Sequence, residues 1–144
     1  MKQAFFQVIE NTALTSNVFR MKLTGDTEGI RTGQFVNIKL DGLFLRRPIS
    51  VCDVESDTLT LIYKVVGKGT EQMSQMTGGT LDVLTGLGNG YDLTTSGDHP
   101  LLIGGGVGVP PLYLAAKLLR AEGKQVSVIL GFNTKDEIFY EQEF

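Results

Sequence analysis

The hydrophobic rhythm of the chain changes once, near residue 97. Before that point apolar and polar residues alternate in short runs. "AFFQVIEN" comes first, then "NVFRMKL", where Phe19, Met21 and Leu23 share one face, then "QFVNIKL", where Val36, Ile38 and Leu40 do the same. "RPISVCDV", "TLTLIYKVV" and "GTLDVLTGLG" complete the set. A period of two, punctuated by Gly, Asp, Asn and Ser, predicts six short strands of an antiparallel sandwich or barrel. Closure removes open strand edges, so a six-stranded Greek-key barrel over residues 1–97 is the expected form. A short helix fits between the fifth and sixth strands, with Thr70 as its N-cap and Met73 and Met76 three residues apart.

After "TTSGDHP" the period lengthens. "LLIGGG" is an apolar run ending in glycines, and "PPLYLAAKLLRAEG" carries the signals of a helix. Proline stands in its first turn, Leu112, Ala115, Ala116 and Leu119 form a stripe, Lys117 and Arg120 lie toward its end, and Gly123 stops it. "QVSVILGF" reads as another strand, and "NTKDEIFYEQEF" as the start of a second helix capped by Thr134. The order β-α-β-α implies a parallel sheet, here an incomplete α/β domain over residues 98–144. Parallel strands need helices on both faces, and two strands with one complete helix do not supply them. The chain is therefore expected to be part of a longer protein, or else to pair its exposed strands with a second copy as a homodimer.

Composition removes several classes of function. The 144 residues hold 13 Lys and Arg against 16 Asp and Glu, a net charge of −3, which speaks against a nucleic-acid or anionic-membrane surface. No apolar run approaches the roughly 18 residues of a membrane span, and the N-terminus lacks the apolar stretch of a secretory signal. One cysteine, Cys52, permits no intrachain disulfide and suits the cytosol. It reads as a core residue, and no metal ligands are assigned. His99, in the linker before Pro100, reads as solvated. With 18 glycines, function is expected in loops and backbone amides.

Three segments can carry that function. "GGGVGVPP" (104–111) joins a strand to a helix, where backbone N–H groups can face a diphosphate. It departs from the usual G-x-G-x-x-G, and no acidic residue ends the next strand. The structural alternative is a glycine turn that permits tight strand–helix packing. "RRPIS" (46–50) opens the fourth strand. Its arginines are either solvated charges or, with Pro48 fixing the strand entry, a guanidinium fork for a pyrophosphate, with Ser50 on the same side of the strand as Pro48. "GKGT" (67–70) is either a tight turn with a capped helix or a second anion site helped by Lys68, beside which Glu71 fits poorly unless it turns outward. Two glycine-rich strand–helix junctions in one chain suggest two nucleotide cofactors. "GLGNGYDL" (86–93) adds a glycine loop near the domain junction, where a planar cofactor has room.

Taken along the chain, "RPIS", "GKGT" and "GGGVGVPP" resemble the motifs of the ferredoxin–NADP reductase superfamily, and "LRRPIS", "GLGNGYDL" and "GGGVGVPPLYLAAKLL" are most similar to the electron-transfer subunits of type B dihydroorotate dehydrogenases. The resemblance implies an FAD-binding barrel followed by an NAD-binding domain. It implies that Arg47 binds the FAD pyrophosphate, that Pro48 and Ile49 pack near the flavin, and that Ser50, the one residue given a catalytic role, hydrogen-bonds near N5. Ile62, Tyr63 and Lys64 would line the adenosine or ribityl side, and Gly69 and Thr70 would donate amides to the pyrophosphate. Gly104, Gly105, Gly106, Gly108 and Pro110 would shape the NAD site, incomplete here, with Gly131 and Phe132 beyond it. The implied partner is an FMN-containing dihydroorotate dehydrogenase catalytic subunit, with electrons passing through a [2Fe–2S] cluster to FAD and on to NAD. The cluster's cysteines are absent here and are expected only in a longer chain. Two alternatives stand beside this: the electron-transfer subunit of another ferredoxin or NAD(P) oxidoreductase complex, and a non-catalytic FAD- or nucleotide-binding module.

Overall fold

Six antiparallel strands close into a barrel: β1 (Lys2–Ala13), β2 (Val18–Thr24), β3 (Phe35–Ile38), β4 (Arg47–Glu55), β5 (Thr58–Lys64) and β6 (Thr80–Leu87). The computed structural model describes the whole chain, residues 1–144. The strands run round in the order β1-β2-β5-β4-β3-β6, so β2 to β3 and β5 to β6 are long crossings, as in a Greek key. Alternation places the inward residues as expected. Phe6, Met21, Leu23, Val36, Ile38, Leu40, Leu59, Leu61 and Val83 belong to one buried core.

A short helix, α1 (Lys68–Ser74), follows β5 and sends Met73 into that core. Its far end is tied to β1: Asn11 Nδ2 donates to the carbonyls of Met73 at 2.8 Å and Met76 at 3.0 Å. The Tyr63 hydroxyl in turn donates to Asn11 Oδ1 at 2.9 Å, so β5, β1 and α1 are locked together. Thr70 is not the N-cap. Gly67 takes that position in extended backbone, and Thr70 is the third helical residue. Glycine has no side chain to cap with, so the Thr70 hydroxyl reaches back and accepts from the Val66 N–H at 2.9 Å.

The remaining part holds two parallel strands, β7 (Leu101–Gly105) and β8 (Ser127–Gly131), joined through α2 (Pro111–Ala121). Gly123, at φ +82°, ends α2 as expected. The buried face of the helix is Leu114, Ala115 and Leu119, while Leu112 and Ala116 are half-buried. The stripe is rotated because Leu114 packs onto the barrel core as well as the helix lying on the sheet. The second helix is not formed. Thr134 does start a turn, its N–H donating to Glu137 Oε2 at 3.1 Å, but only a single 3-10 turn (Lys135–Glu137) follows. Phe139 and Tyr140 are drawn into a separate buried cluster with Val18, Cys52, Ile62 and Val109, and Tyr140 adopts φ +64°, which a helix cannot continue through.

One face of the small sheet is bare. Ile103 and Ile129 stand opposite each other in register, 66% and 54% exposed, beside the exposed Leu101. No helix of the chain is long and apolar enough to cross a membrane.

Candidate functional site

The closed barrel parts at one end of the seam between β4 and β5. Pairing between β4 and β5 runs from Glu55–Thr58 to Val51–Leu61 and stops there. Beyond that point Arg47, Pro48, Ile49 and Ser50 pair only with β3, and Ile62, Tyr63 and Lys64 only with β2. Two strand ends thus face each other without a ladder, and unpaired strand edges are ready partners for a ligand's polar groups. Along β4, Ile49 and Val51 point into the barrel, where Ile49 packs partly against the main core. Pro48, Ser50 and Cys52 alternate to the outer side, Pro48 exposed and Ser50 half-buried. The Ser50 hydroxyl makes no hydrogen bond within the chain.

At the mouth of the seam the two arginines of "RRPIS" part company. Arg46 is spent on the barrel. Its guanidinium donates to the Asp82 carboxylate at 3.0 Å, the Asp82 carbonyl at 3.1 Å and the Asn37 carbonyl at 3.3 Å. Arg47 has no carboxylate partner; its guanidinium donates only to the Leu45 carbonyl. Its side chain lies against the start of α1, where a Cβ on Gly69 would overlap Arg47 Nε. The sequence-distant motifs "RPIS" and "GKGT" therefore meet at one place. Lys68 is exposed beside them, and Glu71 faces solvent.

The glycines of "GGGVGVPP" divide into two jobs. Gly104 serves packing: a Cβ there would lie 2.6 Å from Leu112 Cδ1 and 3.0 Å from the Gly108 carbonyl oxygen. Pro110 is buried and opens α2, so its side chain also packs rather than lining a site. Gly105 and Gly106, with Val107, line a cleft of about 600 Å³ whose far walls are Lys64, Asn17, Phe132, Asn133 and Glu137. Gly106 requires its glycine, at φ +53°, while Gly108 borders open space. Arg47 and Gly69 do not line this cleft. Two separate places result, a clamp at the seam's mouth and a cleft at the glycine turn, with Lys64 between them.

Two expected lining residues are placed elsewhere. Tyr63 is 2% exposed because its β5 position points inward, where it stacks on Phe19 at 5.9 Å. Ile62 points outward but is covered by the α/β part in the cluster of Cys52, Val109, Phe139 and Tyr140. Only Lys64 of the three reaches the cleft with its side chain. The cluster fixes the glycine turn on the barrel through Val109, which is fully buried. Its apolar surroundings push the Cys52 thiol up to about 12 by desolvation, with Asp53 adding to the effect, so it stays protonated and unreactive. Tyr140 is likewise raised to about 12 by burial. On the edge of the junction Lys117 of α2 grips Asp53 at 3.1 Å.

"GLGNGYDL" is held to the turn before β3. Arg31 Nη2 donates to the Asn89 carbonyl at 3.1 Å, Gln34 Nε2 to that of Gly88 at 3.1 Å, and the Tyr91 N–H to that of Thr32 at 2.9 Å. Through Phe35, which pairs with both Ser50 and Leu87, this loop borders the inner end of the seam. The sequence carries no signal for the cleft residues Asn17, Asn133 and Glu137. Each is an ordinary turn or surface residue there, and only the docking of the two parts brings them to one wall.

A scan against protein-family models gives no match. Individual proteins do match. The dihydroorotate dehydrogenase B (NAD(+)), electron transfer subunit of Bacillus pumilus (strain SAFR-032) is 42% identical over 154 residues, covering 100% of the chain and 60% of that protein. The protein of the same name in Fusobacterium nucleatum subsp. nucleatum is 45% identical over 147 residues, covering 95% of the chain and 57% of that protein. The chain thus spans about three fifths of the length of these curated relatives. Among solved structures, an NADH-dependent reduced ferredoxin–NADP oxidoreductase superposes with a TM-score of 0.87 at 32% identity, over 96% of this chain and 52% of that one. By sequence the chain is similar to dihydroorotate dehydrogenase B electron-transfer subunits, and its fold matches that of a ferredoxin–NADP oxidoreductase.

Proposed function

We propose that this chain is the flavin-binding portion of an electron-transfer subunit that passes electrons between a partner redox subunit and NAD by way of FAD. In this reading residues 1–97 form the FAD domain and residues 98–144 begin the NAD domain. The observation that carries it is the meeting of Arg47 with Gly69 at the mouth of an unpaired seam. A guanidinium without a carboxylate partner, a helix start kept bare by glycine and an open pair of strand edges fit a dinucleotide flavin in charge, contour and polarity.

Bound FAD supplies the chemistry of exchanging hydride on one side and single electrons on the other. The chain's residues bind and orient. Arg47 and the Gly69 and Thr70 amides hold the diphosphate. Ser50, on the outer side of the seam, offers its hydroxyl to the reactive edge of the ring, with Pro48 and the exposed part of Ile49 alongside. Gly105, Gly106 and Gly108 would admit a nicotinamide nucleotide at the cleft that Gly105, Gly106 and Lys64 line. Gly104 and Pro110 hold the turn that does so.

The relatives' shared name supports dihydroorotate dehydrogenase B as the complex, and the resemblance implies pyrimidine synthesis as its setting and an FMN-containing catalytic subunit as partner. A [2Fe–2S] cluster would belong to the part of the relatives' length that this chain does not span. A single buried thiol suits the cytoplasm as location. The likeness to a reduced ferredoxin–NADP oxidoreductase favours a second reading, the same subunit role in another ferredoxin and NAD(P) complex. Flavin uptake tests both: the purified chain should bind FAD and show flavin absorbance, and a protein that takes up none would overturn them.

A further inference from the structure

One aromatic side chain near the clamp has no structural duty. Phe44 is 98% exposed, and Leu45 beside it is 66% exposed. They stand on the connection between β3 and β4, which is firmly anchored. Leu43 packs against the barrel core, its N–H donates to the Leu40 carbonyl at 3.2 Å, and Gln72 Nε2 of α1 donates to the Asp41 carbonyl at 3.2 Å. The Leu45 carbonyl itself receives the Arg47 guanidinium. Phe44 is thus presented on a fixed loop, three residues before the Arg47 that would hold a diphosphate, with its ring in water. Solvated phenylalanine contributes nothing to the barrel, and large exposed apolar groups beside a site mark contact surfaces.

The direction of the seam says what it contacts. From Arg47 the seam runs inward past Pro48 and Ile49 to Ser50, so with Ser50 at the ring the flavin end of a dinucleotide lies that way. The adenosine end must leave the diphosphate on the opposite side, over Leu45 and Phe44. Resting on the FAD reading above, we propose that Phe44 is the stacking platform for the adenine of FAD, and that it makes this chain prefer FAD to FMN. An adenine ring offers a π-face to an aromatic side chain without needing a hydrogen-bond partner, and the anchored loop has little freedom left to lose on binding.

The test measures affinities of flavin-free full-length protein for FAD, FMN and ADP by fluorescence titration and competition. Phe44→Ala should weaken FAD and ADP about tenfold each, the loss of one base–aromatic stack, and leave FMN unchanged. Phe44→Trp should restore FAD and ADP. Because Phe44 touches nothing in the fold, its removal should not alter the melting temperature. Unchanged FAD affinity in Phe44→Ala, or an equal loss of FAD and FMN, would overturn the assignment while leaving the flavin site intact. Failure of the wild-type protein to bind any flavin would overturn the FAD reading itself and this assignment with it.

Discussion

The Arg47 side chain lies across the α-carbon of Gly69, so closely that a methyl group there would overlap Nε and come within 2.9 Å of Cδ and Cγ. Gly69 is helical and not in a left-handed conformation, so its glycine is required by this approach and not by backbone geometry. Gly69→Ala should therefore separate fold from function. Helix propensity favours alanine by about 0.5–1 kcal/mol, while Arg47 must swing away. The expected outcome is an equal or higher melting temperature with FAD affinity reduced at least about tenfold, read by thermal denaturation and flavin titration on the same samples.

Arg46 should behave in the opposite way. Its hydrogen bonds to Asp82 and Asn37 join β6 to β3, and the Asp82 side chain is only 17% exposed. Arg46→Ala strips the half-buried Asp82 carboxylate of its cation and leaves it only the Gln3 amide at 2.8 Å, which should destabilise the barrel by about 1–3 kcal/mol. Urea denaturation of Arg46→Ala and Arg47→Ala side by side should show the loss in the first and none in the second.

The glycine turn offers a similar contrast. An added Cβ at Gly104 meets Leu112 Cδ1, the Gly108 oxygen and Val109 Cα, the last at 3.2 Å, and two of these are backbone atoms that cannot step aside. Gly104→Ala should cost about 1–3 kcal/mol of stability. Gly105 sits at φ −131° with its nearest neighbour 3.7 Å away, so Gly105→Ala should fold normally. Because Gly105 lines the cleft, the same variant of the full-length protein should bind NAD more weakly. Equal melting temperatures for both variants would contradict this division of roles.

Most of the fold was readable because alternation and turn residues act locally. Val36, Ile38 and Leu40 are buried as their spacing requires. Where the reading failed, a distant partner decided. Tyr140 ends a helix that Thr134 and Glu137 begin, because its ring is claimed by the junction with Cys52 and Ile62. Thr70 sits three residues inside α1 because Gly67 takes the cap. Tyr63 is a core residue because β5 has a buried side on both faces, which a near-continuous apolar run such as "LTLIY" does not distinguish from one wet face. The candidate site divides in the same way. Arg47 and Gly69 were visible as motifs, but which of two arginines is free, and that the free one rests on the second motif, are facts of the strand register and the closed barrel.

The clamp on the diphosphate is tested most directly by comparing FAD with riboflavin, which carries the same ring and no phosphate, on the wild-type protein and Arg47→Ala. The expected result is a wild-type protein that binds FAD far more tightly than riboflavin, and a variant in which FAD affinity falls about a hundredfold while riboflavin affinity stays the same. A variant that binds FAD as tightly as the wild type would contradict it.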